Sequence, residues 1–112
     1  MMQNISTTEL RGKMQRNEKG ILVNTLPQES FEKEHIPNSI NIPQDQDDFV
    51  SQVEQAAGSK DQAVVVYCAN EHCNSSTQAA QKLEAAGFTH VFDYEGGAES
   101  WREAGEKLVA GA

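Results

Sequence analysis

The feature that most constrains the fold is a run of β-branched residues that ends at a cysteine and is followed by a short polar loop. Residues 64–66 are three valines, which favour a strand, and the absence of polar alternation indicates that both faces of this strand are buried. Ser75 is predicted to be the N-cap of the next helix, with Gln78 completing a capping box. Cys68 is therefore predicted at the carboxyl end of a buried strand. Open α/β sheets bind ligands at this edge, and the helix dipole there is expected to lower the pKa of a thiol.

The rest of the chain alternates predicted helices and strands. Further strands are predicted over residues 21–25, 40–42 and 90–93. Thr7 or Thr8 is predicted to cap the first helix, and later helices are predicted to begin at Pro27, at Asp45 or Asp47, and at about Ala98. Asn17 and Gly20 are expected to mark the end of the first helix. This alternation predicts an α/β fold with a small parallel sheet and helices on both of its faces.

Length, charge and cysteine content limit the class of protein. A chain of 112 residues is expected to form a single domain over residues 1–112. The net charge is −8 and no cluster of Lys or Arg occurs, so nucleic acid is not an expected partner. No apolar stretch approaches the roughly 20 residues of a membrane span, so no membrane contact is expected. The amino terminus lacks the regions of a signal peptide, which favours a cytoplasmic location where thiols stay reduced. Two cysteines five positions apart, Cys68 and Cys73, therefore suggest chemistry or metal binding more than a structural disulfide.

Three stretches, taken together, resemble the rhodanese-like family. Residues 34–43, EHIPNSINIP, resemble its GHIPGAxNIP segment, with Asn38 at a common glycine. Residues 65–68, VVYC, resemble the strand that enters its active-site loop, and residues 86–101 resemble its aGf..V..l.GG...W segment. The likeness extends from about Ile5 to Leu108. It implies a five-stranded rhodanese-like fold and sulfur transfer through a cysteine persulfide, with Cys68 at the catalytic position and no cofactor.

The chain also departs from the family pattern. Many members carry Asp-x-Arg after the first strand, where this sequence has Asn24 and Leu26. In many members a basic residue in the loop attracts anionic thiosulfate, but here the loop has acidic Glu71 and only His72 as a candidate cation. Weak thiosulfate activity is therefore expected. Related cysteine phosphatases need an arginine six positions after the cysteine, and Asn74 stands there, which disfavours phosphatase and arsenate-reductase chemistry.

The loop after Cys68 is the predicted substrate site. Its backbone N–H groups, entering a helix, are expected to bind the terminal sulfur of a persulfide as an anion. The candidate substrate-binding residues are Ala69, Asn70, Glu71, His72, Asn74 and Ser75. Cys73 is a candidate resolving thiol that would release sulfide and leave a Cys68–Cys73 disulfide, or a second carrier of sulfur. The expected partners are a small sulfane-sulfur donor or a protein persulfide, and a thiol acceptor.

Each of these interpretations has an alternative. Cys68 could be a buried structural cysteine, and Cys73 could simply pack against the helix start. His35 could bind substrate or hold its loop, and His72 could tune the thiolate or be solvated. Three candidate ligands in one loop make a weak zinc signature, so no metal is predicted. The alternative function is a catalytically weak rhodanese-like module that binds a partner or senses oxidants through its two cysteines.

Overall fold

A computed structural model describes residues 3–16 and 20–111. Asn17, the first two residues and the last residue of the predicted 1–112 domain lie outside this range. The elements follow one another in the order β1 (Gln3–Asn4), α1 (Thr7–Gln15), β2 (Ile21–Asn24), α2 (Gln28–Lys33), β3 (Ile40–Asn41), α3 (Phe49–Ala57), β4 (Val64–Tyr67), α4 (Ser75–Ala85), β5 (Val91–Tyr94) and α5 (Gly97–Glu103). Within the described ranges no helix is both long and apolar enough to cross a bilayer.

The five strands form one parallel sheet in the order β1-β5-β4-β2-β3. The valine-rich strand β4 is at the centre, where Val66 lies opposite Val23 of β2 on one side and Asp93 of β5 on the other. All four residues of β4 are buried. The predicted fold class, an α/β fold with a five-stranded parallel sheet, is confirmed.

The alternation of side chains along β4 explains why the run is apolar throughout. Val64 and Val66 belong to one core, which α3 and α4 cover, whereas Val65 and Tyr67 belong to a second core, which α1 and α5 cover. The helices contribute Phe49, Val53, Ala79, Ala80 and Leu83 to the first core and Leu10, Ala98 and Trp101 to the second. Both faces of the sheet are therefore covered by helices, as predicted.

Strand β1 is the element that the sequence pattern does not predict. Its two residues, Gln3 and Asn4, are polar and exposed, and they pair with β5 at the edge of the sheet. The pairing uses backbone groups, and the adjacent Ile5 N–H continues it by donating to the Asp93 carbonyl at 3.2 Å. A strand held in this way leaves no periodicity of apolar residues.

The cap of α1 and the start of α3 differ from those predicted. Helix α1 is capped by Ser6, before Thr7 and Thr8, because its hydroxyl accepts from the Glu9 N–H while the Glu9 carboxylate accepts from the Ser6 N–H. This reciprocal pair is a capping box, and Ser6 with Glu9 has the required spacing. Helix α3 begins at Phe49, after Asp48, and not near Asp45 or Asp47.

Candidate active site

Cys68 follows the last residue of β4 and has no exposed surface. Its Sγ lies 3.3 Å from the carbonyl oxygen of Cys73 and 4.0 Å from that of Asn70, and both oxygens are acceptors within reach of the one S–H group. The hydroxyl oxygen of Ser76 lies 3.7 Å from the same sulfur. The sulfur thus lies between the loop and the first turn of α4.

A tight turn folds the loop back over Cys68. The Cys73 N–H donates to the Asn70 carbonyl at 3.1 Å, and the His72 N–H donates to the Asn70 side-chain oxygen at 2.9 Å. This turn directs the Cys73 carbonyl at the sulfur. Glu71 and His72 lie at the tip, with their side chains 77% and 88% exposed, so both face solvent.

The amino end of α5 holds the other side of the loop. The Ala98 N–H donates to the Cys68 carbonyl at 3.0 Å, and the Glu99 N–H donates to the Ala69 carbonyl at 2.9 Å. Gly97 makes this approach feasible, because its φ is +64° and a β-carbon there would stand 2.3 Å from the Cys68 carbonyl oxygen. The second glycine of the Gly-Gly pair therefore has a structural role directly under the candidate nucleophile.

Helix α4 begins differently from the prediction. Asn74 is the N-cap, and its carbonyl accepts the first helical bond from Gln78, so Ser75 lies inside the helix and the predicted capping box is absent. The Ser75 hydroxyl instead donates to the Thr25 carbonyl at 3.2 Å and accepts from the Thr25 hydroxyl at 3.1 Å. Thr25 directly follows β2. It binds the Ser75 hydroxyl in place of the helix N–H groups, because it offers that hydroxyl both a donor and an acceptor.

The expected acidity of Cys68 is wrong in this conformation of the loop. Burial raises the pKa of the Cys68 thiol to about 11, and Cys73 adds to the increase. Hydrogen bonds from the backbone and the hydroxyl of Ser76 oppose it. The helix start does favour the thiolate, but the sulfur is shielded from water and faces two carbonyls, which favour the protonated thiol.

The structure brings some of the predicted site residues to the sulfur and leaves others apart. Asn70 and Cys73 contact it through their carbonyls, whereas Ala69 is engaged by α5 and Ser75 by Thr25. The side chains of Glu71, His72 and Asn74 lie on the exposed outside of the loop. Sequence reasoning missed Ser76 and Thr25. One feature of the sequence pointed to them. Residues 75–77 are three consecutive hydroxyl residues, and because one helix cap requires a single hydroxyl, the others are available for contacts with neighbouring strands.

His35 lies away from the sulfur and holds its own segment. Its Nδ1 bonds to the Phe31 carbonyl at 2.8 Å, and its ring stacks on that of Phe31 with centroids 3.8 Å apart. Its backbone exchanges two hydrogen bonds with Val109, which ties the carboxyl-terminal segment to the loop before β3. These contacts agree with the structural role for this histidine.

The two cysteines are both free thiols. Among the described residues, no group of three or more His, Cys, Asp or Glu side chains is arranged to hold a metal ion. A half-open cavity of about 330 Å³ lies at the opposite edge of the sheet, where Ile21 and Ala63 stand at the amino ends of β2 and β4. That cavity is therefore not part of the cysteine site.

This parallel α/β sheet presents a buried cysteine between its central strand and the next helix, at the edge where open α/β sheets bind ligands. The chain matches the rhodanese-like domain over residues 6–104. It belongs to the rhodanese-like family, in agreement with the resemblance seen in the sequence.

Individual relatives show how far the likeness extends. The chain is 34% identical over 87 residues to the thiosulfate sulfurtransferase GlpE of Pseudomonas syringae, covering 78% of this chain and 76% of that protein. It is 31% identical over 103 residues to the adenylyltransferase and sulfurtransferase UBA4 of Candida albicans, but this match spans 23% of that protein. The structure of a thiosulfate sulfurtransferase from Pseudomonas aeruginosa superposes with a TM-score of 0.86 over 99% of this chain and 21% of that chain. At 21% identity, that superposition supports the fold alone.

Proposed function

We propose that this protein is a sulfurtransferase that moves sulfane sulfur through a persulfide on Cys68. The observation that carries the proposal is the position of Cys68, between the central strand and α4, in a chain of the rhodanese-like family. The GlpE relative, which the chain matches over most of its length, is named a thiosulfate sulfurtransferase.

Loading is a thiol–disulfide type of exchange. The Cys68 thiolate attacks the outer sulfur of a donor persulfide in its protonated form, R–S–SH, so a new S–S bond forms on Cys68 while the donor S–S bond breaks, and the resulting Cys68–S–SH loses its proton. The leaving thiolate RS⁻ takes the proton that Cys68 gave up. The product, Cys68–S–S⁻, carries its charge on the outer sulfur, which requires nearby N–H donors.

The loop has to change before it can accept that product. With the thiol present, the carbonyls of Asn70 and Cys73 face the sulfur, and a persulfide anion would be repelled by both. We infer that loading turns these carbonyls away and brings backbone N–H groups of the loop toward the outer sulfur. The turn at residues 70–73 is the segment whose geometry would change.

Cys73 is proposed to complete the cycle when no external acceptor takes the sulfur. Its thiolate attacks the inner sulfur of Cys68–S–SH, forming a Cys68–Cys73 disulfide and releasing hydrosulfide. Two equivalents of an external thiol then reduce this disulfide by exchange, through a mixed disulfide, and leave as their own disulfide. Attack on the outer sulfur would instead pass it to Cys73, without any net oxidation.

Intact mass spectrometry after exposure to glutathione persulfide tests the proposal. Cys73→Ser should gain and keep the mass of one sulfur, which dithiothreitol should remove. Wild type should gain the same sulfur before Cys73 converts the persulfide to a disulfide, whereas Cys68→Ser should gain none. Cys73→Ser is the matched control, because it removes a thiol from the same loop but keeps the Cys73 backbone carbonyl in place. A Cys68→Ser protein that loads labile sulfur at the wild-type rate would refute the assignment.

A second candidate function is a thiol redox switch. It is supported by the contact between Cys68 and the backbone of Cys73, which keeps the two residues adjacent in the loop. Hydrogen peroxide would oxidise the pair to a disulfide with release of two waters. A loss of two hydrogens with peroxide, combined with no gain of sulfur from the persulfide, would favour this function over transfer.

A further inference from the structure

Three consecutive hydroxyl residues at the start of α4 each contact the end of a different strand. The Ser75 hydroxyl bonds to Thr25 after β2, and Ser76 approaches the sulfur of Cys68 after β4. The Thr77 hydroxyl donates to the Asp93 carboxylate of β5 at 2.8 Å. Ser76 is therefore flanked on both sides by residues that fasten the helix to the sheet.

Asp93 is unusual for its position in the sheet. Its side chain has no exposed surface, and it lies opposite Val66 on the side of the sheet that α4 covers. One carboxylate oxygen accepts from Thr77, and the other has no hydrogen-bond partner among the described residues. Burying an incompletely paired carboxylate is costly, so stability alone does not account for it.

We propose that Asp93 and Thr77 are positioning residues, whose hydrogen bond holds the first turn of α4 so that Ser76 can donate to the thiolate of Cys68. This inference rests on the proposed function, in which Cys68 is the nucleophile. Asp93 acts as an acceptor for Thr77, and Thr77 acts through the helix backbone on its neighbour Ser76. Neither residue touches the sulfur.

The first turn of α4 needs such an anchor. Asn74 makes no side-chain cap, so the free N–H groups of this turn are not fixed by the cap itself. The thiol of Cys68 donates toward loop carbonyls, but a thiolate can only accept, and Ser76 supplies both a backbone N–H and a hydroxyl for it. Because hydrogen bonds depend steeply on distance and angle, a small shift of the turn would weaken both bonds to sulfur.

The test measures the rate of persulfide loading of Cys68 from glutathione persulfide in a Cys73→Ser background. Thr77→Val removes the hydroxyl at nearly constant volume and should slow loading about three- to tenfold, since the loss of one buried hydrogen bond corresponds to a factor of about that size. Thr77→Ser should restore the rate. Asp93→Asn keeps an acceptor oxygen without the charge and should also load at close to the wild-type rate.

Two further variants separate positioning from folding. The double variant Thr77→Val with Asp93→Val replaces both partners by apolar residues, which avoids leaving a buried carboxylate unpaired, and it should load as slowly as Thr77→Val. Thr8→Val, an exposed threonine in the first turn of α1, is the matched control and should load normally.

The outcomes distinguish this inference from the proposed function. If Cys68→Ser still loads sulfur, the proposed function fails, whatever Thr77 does. If wild type loads through Cys68 but Thr77→Val and the double variant load at the wild-type rate, the positioning role is wrong and the proposed function stands. The positioning role would also be wrong if Thr77→Ser and Asp93→Asn both loaded sulfur as slowly as Thr77→Val does.

Discussion

The thiol of Cys68 lies 3.3 Å from the carbonyl oxygen of Cys73, so the residue proposed to resolve the persulfide first stabilises the protonated thiol through its backbone. This contact links the state of the loop to the charge on the sulfur. A protonated thiol matches the two carbonyls that surround it, whereas a thiolate or persulfide anion does not. The chemistry and the loop conformation are therefore expected to change together.

The alkylation of Cys68 should show no plateau near neutral pH. Because only the thiolate reacts and burial raises the pKa of Cys68 to about 11, the rate with iodoacetamide should keep rising through about pH 9.5. The measurement is made in Cys73→Ser, so that Cys68 is the one thiol that reacts; burial, the largest cause of the raised pKa, is unchanged in this variant. A midpoint at or below the value of about 8.5 for a free cysteine would contradict the raised pKa.

The stability of the fold should decrease in mildly alkaline solution. Since the pKa of Cys68 is higher in the folded chain than in the unfolded chain, its stabilising contribution is complete below about pH 8.5 and is lost as pH rises toward 11. In that window the unfolded chain releases its proton first. Urea unfolding from about pH 7.5 to 9.5 should show a decline in wild type that is smaller in Cys68→Ser. Equal declines in the two proteins would assign the effect to other groups.

The site depends on the absence of a side chain at residue 97. Gly97→Ala should destabilise the fold by more than the roughly 1–3 kcal/mol expected for a positive φ alone, because its β-carbon would meet the Cys68 carbonyl. Gly58→Ala is the matched control, since Gly58 also has a positive φ, of +90°, but no atom within 4 Å of the added carbon. Free energies of unfolding from urea titration make the comparison. Equal losses for the two variants would mean that the close approach adds nothing.

Most of the fold follows from local pattern. The valine run predicts a central strand buried on both faces, and the alternation of apolar segments predicts the parallel sheet, because each segment has enough apolar residues to mark its period. Strand β1 leaves no such mark, since Gln3 and Asn4 are exposed and contribute backbone bonds at the edge. The position of Cys68 at the end of β4 follows from the same pattern.

The details of the site are harder to predict, because they depend on contacts between segments distant in the chain. Ser75 has the sequence features of a cap, but Thr25, fifty residues away, binds its hydroxyl. The spacing of the two cysteines does not reveal that the Cys73 carbonyl faces the sulfur. The helix start predicts a lowered pKa for Cys68, whereas burial and the Cys73 side chain raise it.

Electrostatics should decide which sulfur donor the protein uses. Thiosulfate is a dianion, the chain carries a net charge of −8, and its loop contains no Lys or Arg between Cys68 and Ser75. Repulsion should slow the encounter, and no bidentate clamp holds the anion after it arrives. We expect poor thiosulfate:cyanide turnover with a high KM that falls as salt screens the repulsion, because the screening length at 0.1 M salt is only about 10 Å. A persulfide donor of lower charge should load Cys68 faster.

Charge reversal at the tip of the loop tests this directly. Glu71 is exposed beside the site, so Glu71→Arg replaces a repulsive charge with an attractive one and should raise kcat/KM for thiosulfate about three- to tenfold at low salt. Glu103→Arg changes the net charge equally but lies at the far end of α5, and it should have a smaller effect. Steady-state kinetics on the three proteins at two ionic strengths separate local from overall charge. Efficient wild-type turnover that neither salt nor Glu71→Arg alters would show that backbone N–H groups suffice to bind the dianion, and that the charge of the loop does not select the donor.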